Sequence, residues 1–414
     1  MNISIGSPEA AGFCSERLAR IRPVMQSYVD HHGIAGLTTM LARRGSVIHC
    51  EHVGFRDRDS KAALSDDTIF RIYSMTKPII SAAFMSLYEE GRFQLTDPVS
   101  KYIPAFGKAR VLNGTLSQAR KDDLIRPVTL RDLLTHTAGL TYNFLEDSPV
   151  SEQYRTAGLM SNADRTLEST IGELARIPLA YQPGTRWHYS MATDVIAHLI
   201  ELISGRPLQD FLQKRLFTPL DMNDTGFSVP PCEHHRIATM YGHPDITTTT
   251  FSDIVKAWKA GYNERIDIEA TYPAANTCSF ARGGHGLFST CADYMRFAQM
   301  LLNRGTLDGV RILSPGIVGF MNRNHIQPAL LPYEIGGIIR HGYGFGLGSR
   351  VLLNVTESAL PGSIGEHGWS GAAKTYYWVD PEKELIGILM AQFMVSFDTP
   401  EKDFQVLAYQ ALLE

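Results

Sequence analysis

Long apolar runs are missing from this chain. No stretch approaches the roughly 18 uninterrupted apolar residues of a membrane-crossing helix, which argues against a membrane partner. Basic runs are missing too. The 39 basic and 43 acidic residues leave a net charge of −4, and nothing concentrates positive charge as nucleic-acid binding requires. Cysteine is sparse and odd in number: Cys14, Cys50, Cys232, Cys278 and Cys291, with no Cys-x-x-Cys spacing. That pattern speaks against a disulfide framework and against a structural zinc site. The first residues, Met1-Asn2-Ile3-Ser4-Ile5-Gly6, lack a basic segment followed by an apolar one, so no signal peptide is read and a cytoplasmic location is expected. A secreted form with its signal already removed is the alternative. Repeats and low-complexity linkers are absent as well.

What is present is ample apolar content. With 414 residues and 44% hydrophobic side chains the chain can bury a large core, and disorder is not expected. Length suggests two or three domains, or one large core with an insertion. Near the N-terminus a helix is predicted around Ser15–His31. A hairpin follows, with Gly36–Ala42 and Val47–Gly54 flanking the turn at Arg43-Arg44-Gly45-Ser46. The C-terminus mirrors it: Thr375–Val379, a turn through Asp380-Pro381, Leu385–Gln392, then a helix over Lys402–Leu413. Between them, helices are predicted over Ser74–Glu90, Asp194–Ser204 and Thr290–Arg304, each stopped by glycine. The expected fold is α/β (α+β), an antiparallel sheet built from both chain termini and flanked by helices, with a mainly helical domain inserted. Residues 1–75 and 335–414 would form the sheet domain, with part of 180–300 packing on it, and 76–334 the inserted region.

Three segments carry chemistry. Ser74-Met75-Thr76-Lys77 is the one Ser-x-x-Lys in the chain, and its spacing puts both side chains on one face of a first helical turn. A helix N-terminus favours a developing alkoxide, and burial favours a neutral lysine able to take a proton. Tyr189 follows a Pro183-Gly184 turn and precedes the Asp194 helix; held near a lysine, a tyrosine can serve as general base. His367-Gly368-Trp369-Ser370-Gly371-Ala372 reads as a strand that a substrate approaches closely, with His367 and Trp369 on one face. A backbone N–H there could complete an oxyanion hole with that of Ser74. Gly368–Ala372 is a near miss to Gly-x-Ser-x-Gly, but a strand follows where a nucleophile elbow needs a helix, so Ser370 is rejected as nucleophile. Glu233-His234-His235 beside Cys232 fits no common metal spacing and reads as a solvated loop. His136 reads as a structural histidine supporting its turn, and His285 as a residue that could line the pocket.

Taken together, these segments resemble the class C β-lactamase superfamily, and within it the family VIII carboxylesterases. The resemblance runs through Phe70–Lys77, Leu133-Leu134-Thr135-His136-Thr137-Ala138-Gly139-Leu140, Tyr181–Thr185, Pro219–Met222, Gly283–Leu287 and Trp378–Pro381. It implies a serine hydrolase with Ser74 as nucleophile, Tyr189, its pKa lowered by Lys77, taking the serine proton and passing it to the leaving alcohol, and the N–H groups of Ser74 and Ala372 as oxyanion hole. Which of Lys77 and Tyr189 is the base stays open at this point. The departures point to substrate. Met191 stands where the β-lactamase pattern has asparagine, and Trp369-Ser370-Gly371 stands where it has Lys-Thr-Gly. A lysine would pair with a substrate carboxylate, whereas tryptophan offers an apolar wall. Trp369, Gly371, Met191 and His367 are therefore the expected substrate-binding residues. Lys374 is expected to face away from Trp369. A small, short-acyl carboxylic ester is the expected substrate, with no metal and no cofactor; a homo-oligomer is compatible with the chain. The rivals are a β-lactamase or D-aminoacyl peptidase, an acyltransferase, and a non-catalytic ligand sensor that would be expected to lose one of the three catalytic side chains.

Overall fold

The computed structural model describes residues 5–114, 120–242, 244–275, 281–394 and 396–413. Cys278 lies outside them. Eight strands form one antiparallel sheet in the order β4-β5-β6-β7-β8-β1-β2-β3. Strands β1 (Gly36–Arg43), β2 (Ser46–Asp57) and β3 (Ala62–Ala63) come from the N-terminal part of the chain. Strands β4 (Tyr343–Phe345), β5 (Arg350–Leu352), β6 (His367–Gly371), β7 (Thr375–Asp380) and β8 (Leu385–Ala391) come from the C-terminal part. The two ends meet where β1 pairs with β8, Leu37 opposite Ala391 and Arg43 opposite Leu385.

The central strands read as nearly continuous apolar runs because both faces of the sheet are covered. Side chains alternate between the two faces. Leu37, Leu41, Trp378 and Leu389 pack in one cluster with Phe404 and Ala408. Met40, Ala42, Tyr377 and Ile388 face the other way into the larger core. Helices α1 (Ile21–His31) and α5 (Pro400–Gln410) cover the first face. The predicted Ser15–His31 helix is in fact two pieces, Ser15–Leu18 and α1, broken by a turn.

The opposite face carries the helical bulk. Helix α2 (Thr76–Glu89) has Thr76 through Leu87 buried, which suits a helix apolar almost all round. Helix α3 (Ala192–Ser204) is stopped by Gly205 in the left-handed region, and α4 (Cys291–Leu302) is capped by the Thr290 hydroxyl, which accepts from Asp293 N at 3.1 Å. A short hairpin, Tyr333–Ile335 with Ile338–Arg340, stands apart from the main sheet. No helix among the described residues is long and apolar enough to cross a membrane.

Candidate active site

Ser74 sits in the one-turn 3-10 segment Tyr73–Met75, which runs directly into α2. The preceding Tyr73 has φ +45, in the left-handed region that a bulky side chain seldom enters. Neighbours hold it there. Ile72 N donates to Leu287 O at 3.0 Å, Met75 N donates to Ile72 O at 3.0 Å, and the Tyr294 hydroxyl donates to Met75 O at 2.9 Å. From the other side Thr375 Oγ1 on β7 donates to Ile72 O at 3.1 Å. The nucleophile candidate is thus gripped between the glycine-rich 283–287 segment and the sheet.

Two side chains converge on it. Lys77 Nζ donates to Ser74 Oγ at 3.0 Å and to the Gly284 carbonyl at 2.7 Å. The Tyr189 hydroxyl donates to Ser74 Oγ at 2.7 Å. Lys77 is buried, and loss of water pulls its ammonium down to about 7 against the opposing pull of the Asp194 charge. Burial pushes the Tyr189 hydroxyl up instead, with the Ser74 and Trp369 hydrogen bonds pulling the other way. Trp369 Nε1 lies 3.4 Å from the Tyr189 hydroxyl. The Lys77 ammonium also lies 4.7 Å from the Tyr189 ring centre and 5.2 Å from that of Tyr142, within cation–π reach of both.

The Leu133–Leu140 segment buttresses Tyr189 from behind. His136, itself at φ +54, packs its ring 5.0 Å from that of Tyr189, and Nδ1 meets Ser190 Oγ at 3.3 Å. His188 N donates to His136 O and Gly184 N to Thr137 O, both at 2.8 Å. Burial holds the His136 imidazole well below its usual range.

These groups open onto a groove of about 430 Å³. Ser74, Tyr189, Trp369, Gly371 and Ala372 line it; Lys77 does not, being closed off beneath Ser74 and Tyr189. His285 also lines it, and burial pushes its imidazole well below the usual range. The far wall is apolar, with Phe144, Ile246, Phe251 and Phe397, and the 333–340 hairpin adds Ile335, Ile338 and Arg340.

Three expectations are corrected. Met191 is fully buried at the start of α3 and does not reach the groove, because entry into the helix turns its side chain into the core. His367 is buried two residues before Trp369, roughly 7 Å along the strand. There Nδ1 meets Gly365 O at 3.2 Å, and the ring lines a different recess beside Gln299 and Val318. Lys374 does not face away. Strand β6 ends at Gly371, so Lys374 lies in the hairpin turn at φ +63 and lines the groove, with Nζ donating to Asp398 O and 3.8 Å from Glu401 Oε2.

Other residues had no legible signal. Asp194 appeared only as the start of a helix, yet it is wholly buried and accepts from Gly284 N at 3.0 Å. Tyr142 and the 333–340 hairpin likewise gave no motif. The Cys232–His235 segment, predicted as a loop, lies in the six-residue 3-10 helix Pro231–Arg236, none of whose residues is buried. Cys50, His52 and Asp66 do come together on the sheet edge, where His52 is pinned between Thr38 Oγ1 at 2.8 Å and Asp66 Oδ1 at 3.0 Å.

A serine joined to a lysine and a tyrosine at the junction of an antiparallel sheet and a helical region is the arrangement of a β-lactamase-fold serine hydrolase. The Beta-lactamase family model matches residues 21–411, and the chain belongs to that family. Protein Rv1367c of Mycobacterium tuberculosis (strain ATCC 25618 / H37Rv) is 34% identical over 365 residues, 87% of this chain and 86% of that protein. Esterase EstB of Burkholderia gladioli is 26% identical over 387 residues, 90% of this chain and 89% of its own. Among solved structures, EstCE1, described as a hydrolase with promiscuous acyltransferase activity, superposes with a TM-score of 0.76 at 24% identity, covering 96% of this chain and 99% of its own. That likeness establishes the shared fold.

Proposed function

We propose that this protein hydrolyses small carboxylic esters with short acyl groups through an acyl-enzyme on Ser74. One observation carries the reading: Ser74 Oγ, at the floor of a largely apolar groove, is within hydrogen-bond distance of both Lys77 Nζ and the Tyr189 hydroxyl. A serine alone is a weak nucleophile, and an adjacent group able to take its proton is what activates it.

Burial divides the labour. A lysine brought down to about 7 is substantially neutral at physiological pH and can accept the Ser74 proton, whereas a tyrosine pushed up stays protonated at rest. Attack of Ser74 Oγ on the ester carbonyl breaks its O–H bond, and the proton passes to Lys77. The Ser74 and Ala372 N–H groups receive the negative oxygen of the tetrahedral intermediate. Collapse expels the alcohol, which takes a proton from Tyr189, the member of the pair that faces the groove, while the proton held by Lys77 returns to Tyr189. Water then attacks the acyl-serine by the same route in reverse.

The apolar walls favour a neutral ester. The tryptophan at 369 supplies indole surface where a lysine would supply charge, and Lys374 is already engaged with Asp398 and Glu401. EstB is named an esterase, which agrees with this reading. EstCE1 is described as also transferring acyl groups, so an alcohol is a second candidate acceptor for the acyl-serine. The deciding experiment compares nitrophenyl butyrate with a chromogenic cephalosporin and repeats the ester assay with added alcohol. Ester turnover with mass-spectrometric trapping of an acyl group on Ser74 is the expected result. Faster cephalosporin turnover, or an adduct elsewhere, overturns it; an acylated alcohol as main product moves the reading to acyl transfer.

A further inference from the structure

Asp194 is a carboxylate in an expensive place. It is buried without exposure in the first turn of α3, and burial raises its own proton affinity. Oδ1 accepts from Gly284 N at 3.0 Å, while Oδ2 has no hydrogen-bond partner among the described residues. The same glycine turns its carbonyl to Lys77 Nζ at 2.7 Å. The amide and the carbonyl of one residue are therefore held by the acid on one side and the lysine on the other.

The packing leaves no slack in this connection. A Cβ on Gly284 would stand 2.6 Å from Asp194 Oδ2 and 2.9 Å from the Tyr142 hydroxyl. A Cβ on Gly283 would stand 2.5 Å from Ala197 Cβ and from Thr193 O. Both glycines are pressed onto the first turns of α3, so the lysine's carbonyl partner is placed by the helix that carries Asp194. This accounts for a pair of glycines that no turn requires: neither Gly283 nor Gly284 has a positive φ.

We infer that Asp194 is a positioning residue that acts through Gly284 to aim the Lys77 amine at Ser74. The inference rests on the reading of Lys77 as proton acceptor. The other groups facing Lys77 are Tyr142 and Tyr189, whose rings flank it, and His136 and His285, which burial keeps uncharged. Arg282 faces Asp194 from the glycine-rich segment and hydrogen-bonds Arg165 O and Asn162 O at 3.1 and 2.9 Å. Within this set Asp194 supplies the negative charge. A negative charge nearby favours the ammonium, so its removal makes Lys77 lose its proton at lower pH.

The test is the pH dependence of Ser74 labelling by a fluorophosphonate, read by mass spectrometry in the wild-type protein, Asp194→Asn and Asp194→Ser. In the wild type the rate should rise as pH passes through about 7. In either folded variant that rise should move to lower pH by about half a unit or more, with a lower plateau from the misaimed amine. A plateau that falls while the rise stays put, or a rise that moves upward, overturns the inference. So does failure of both variants to fold, which would make Asp194 a folding residue. If wild-type Ser74 takes no label at any pH, the fault lies in the hydrolase reading itself.

Discussion

Gly371 and Ile72 meet through bare backbone: a Cβ on Gly371 would stand 2.4 Å from the Ile72 carbonyl and 2.2 Å from Thr375 Oγ1. This is the contact by which the end of β6, bearing Trp369 and leading to Ala372, is laid against the turn that presents Ser74. Gly371→Ala must push the two apart. We expect a stability loss of about 1–3 kcal/mol, the usual cost of overpacking, and a larger proportional loss of Ser74 labelling. Thermal melts and labelling rates on the same samples check it; unchanged labelling would show that the strand does not shape the site.

Ser74→Ala should abolish ester turnover and leave the fold intact, since the Ser74 side chain's described partners are Lys77 and Tyr189 rather than core contacts. Fluorophosphonate treatment of the wild type followed by peptide mapping should locate the adduct on Ser74. An adduct on Ser370, which also lines the groove, would falsify the assignment.

Lys77→Ala and Tyr189→Phe should each lower kcat by about 10²-fold or more, the scale of a lost proton-transfer group. Because Lys77 is shut off from the groove and Tyr189 opens onto it, a proton moving between Lys77 and the leaving alcohol passes Tyr189. The double variant should then be little worse than the poorer single one. Multiplicative losses in steady-state kinetics would break the shared path.

Trp369 has two separable duties, as a wall and as an N–H facing the Tyr189 hydroxyl at 3.4 Å. Trp369→Phe keeps an aromatic wall and removes the donor, so kcat should fall several-fold with KM little changed. For the wild type, kcat/KM on nitrophenyl butyrate should exceed that on nitrocefin by about two orders of magnitude, roughly 2.7 kcal/mol. Trp369→Lys should narrow the gap. Equal turnover of both by the wild type would mean that another cation lining the groove, Arg340 or Lys402, pairs with the cephalosporin carboxylate.

Buried histidines set an acid limit on stability. His49 and His367 are each lowered to about 4 by burial, whereas an unfolded histidine titrates near about 6.5. Between those values the unfolded chain binds more protons than the folded one, so stability falls as pH falls. The contribution is intact above about 6.5 and lost through about 4. Tm measured across this window should drop steeply, and His49→Gln should flatten the drop. A Tm profile that His49→Gln leaves unchanged across this window would refute the neutral burial of the His49 ring.

Much of the site was legible because its chemistry lies in short local patterns. Ser74 and Lys77 are three residues apart, and one helical turn was enough to bring them together. Tyr189 and Trp369 stood out through their surroundings and the order of motifs. Met191, His367 and Lys374 were misplaced for separate reasons: Met191 was placed by its position in the family pattern, His367 by strand alternation without regard to distance along the strand, and Lys374 by an alternation that ends where the strand ends. Met191 belongs to a helix start and Lys374 to a turn, while His367 keeps its face but sits too far along it.

By itself the sequence determined the two terminal hairpins, the main helices and the Ser-x-x-Lys turn, because periodicity, turn residues and caps act over a few residues. Long-range packing brings Asp194 and Lys77 onto the two sides of Gly284, seals Lys77 from the groove and sets the 333–340 hairpin into its wall. Those are matters of burial and of contacts between distant segments, such as Lys77 and Gly284, 207 residues apart. No local pattern encodes how much water a side chain will lose, and that loss is what brings a lysine within reach of a serine's proton.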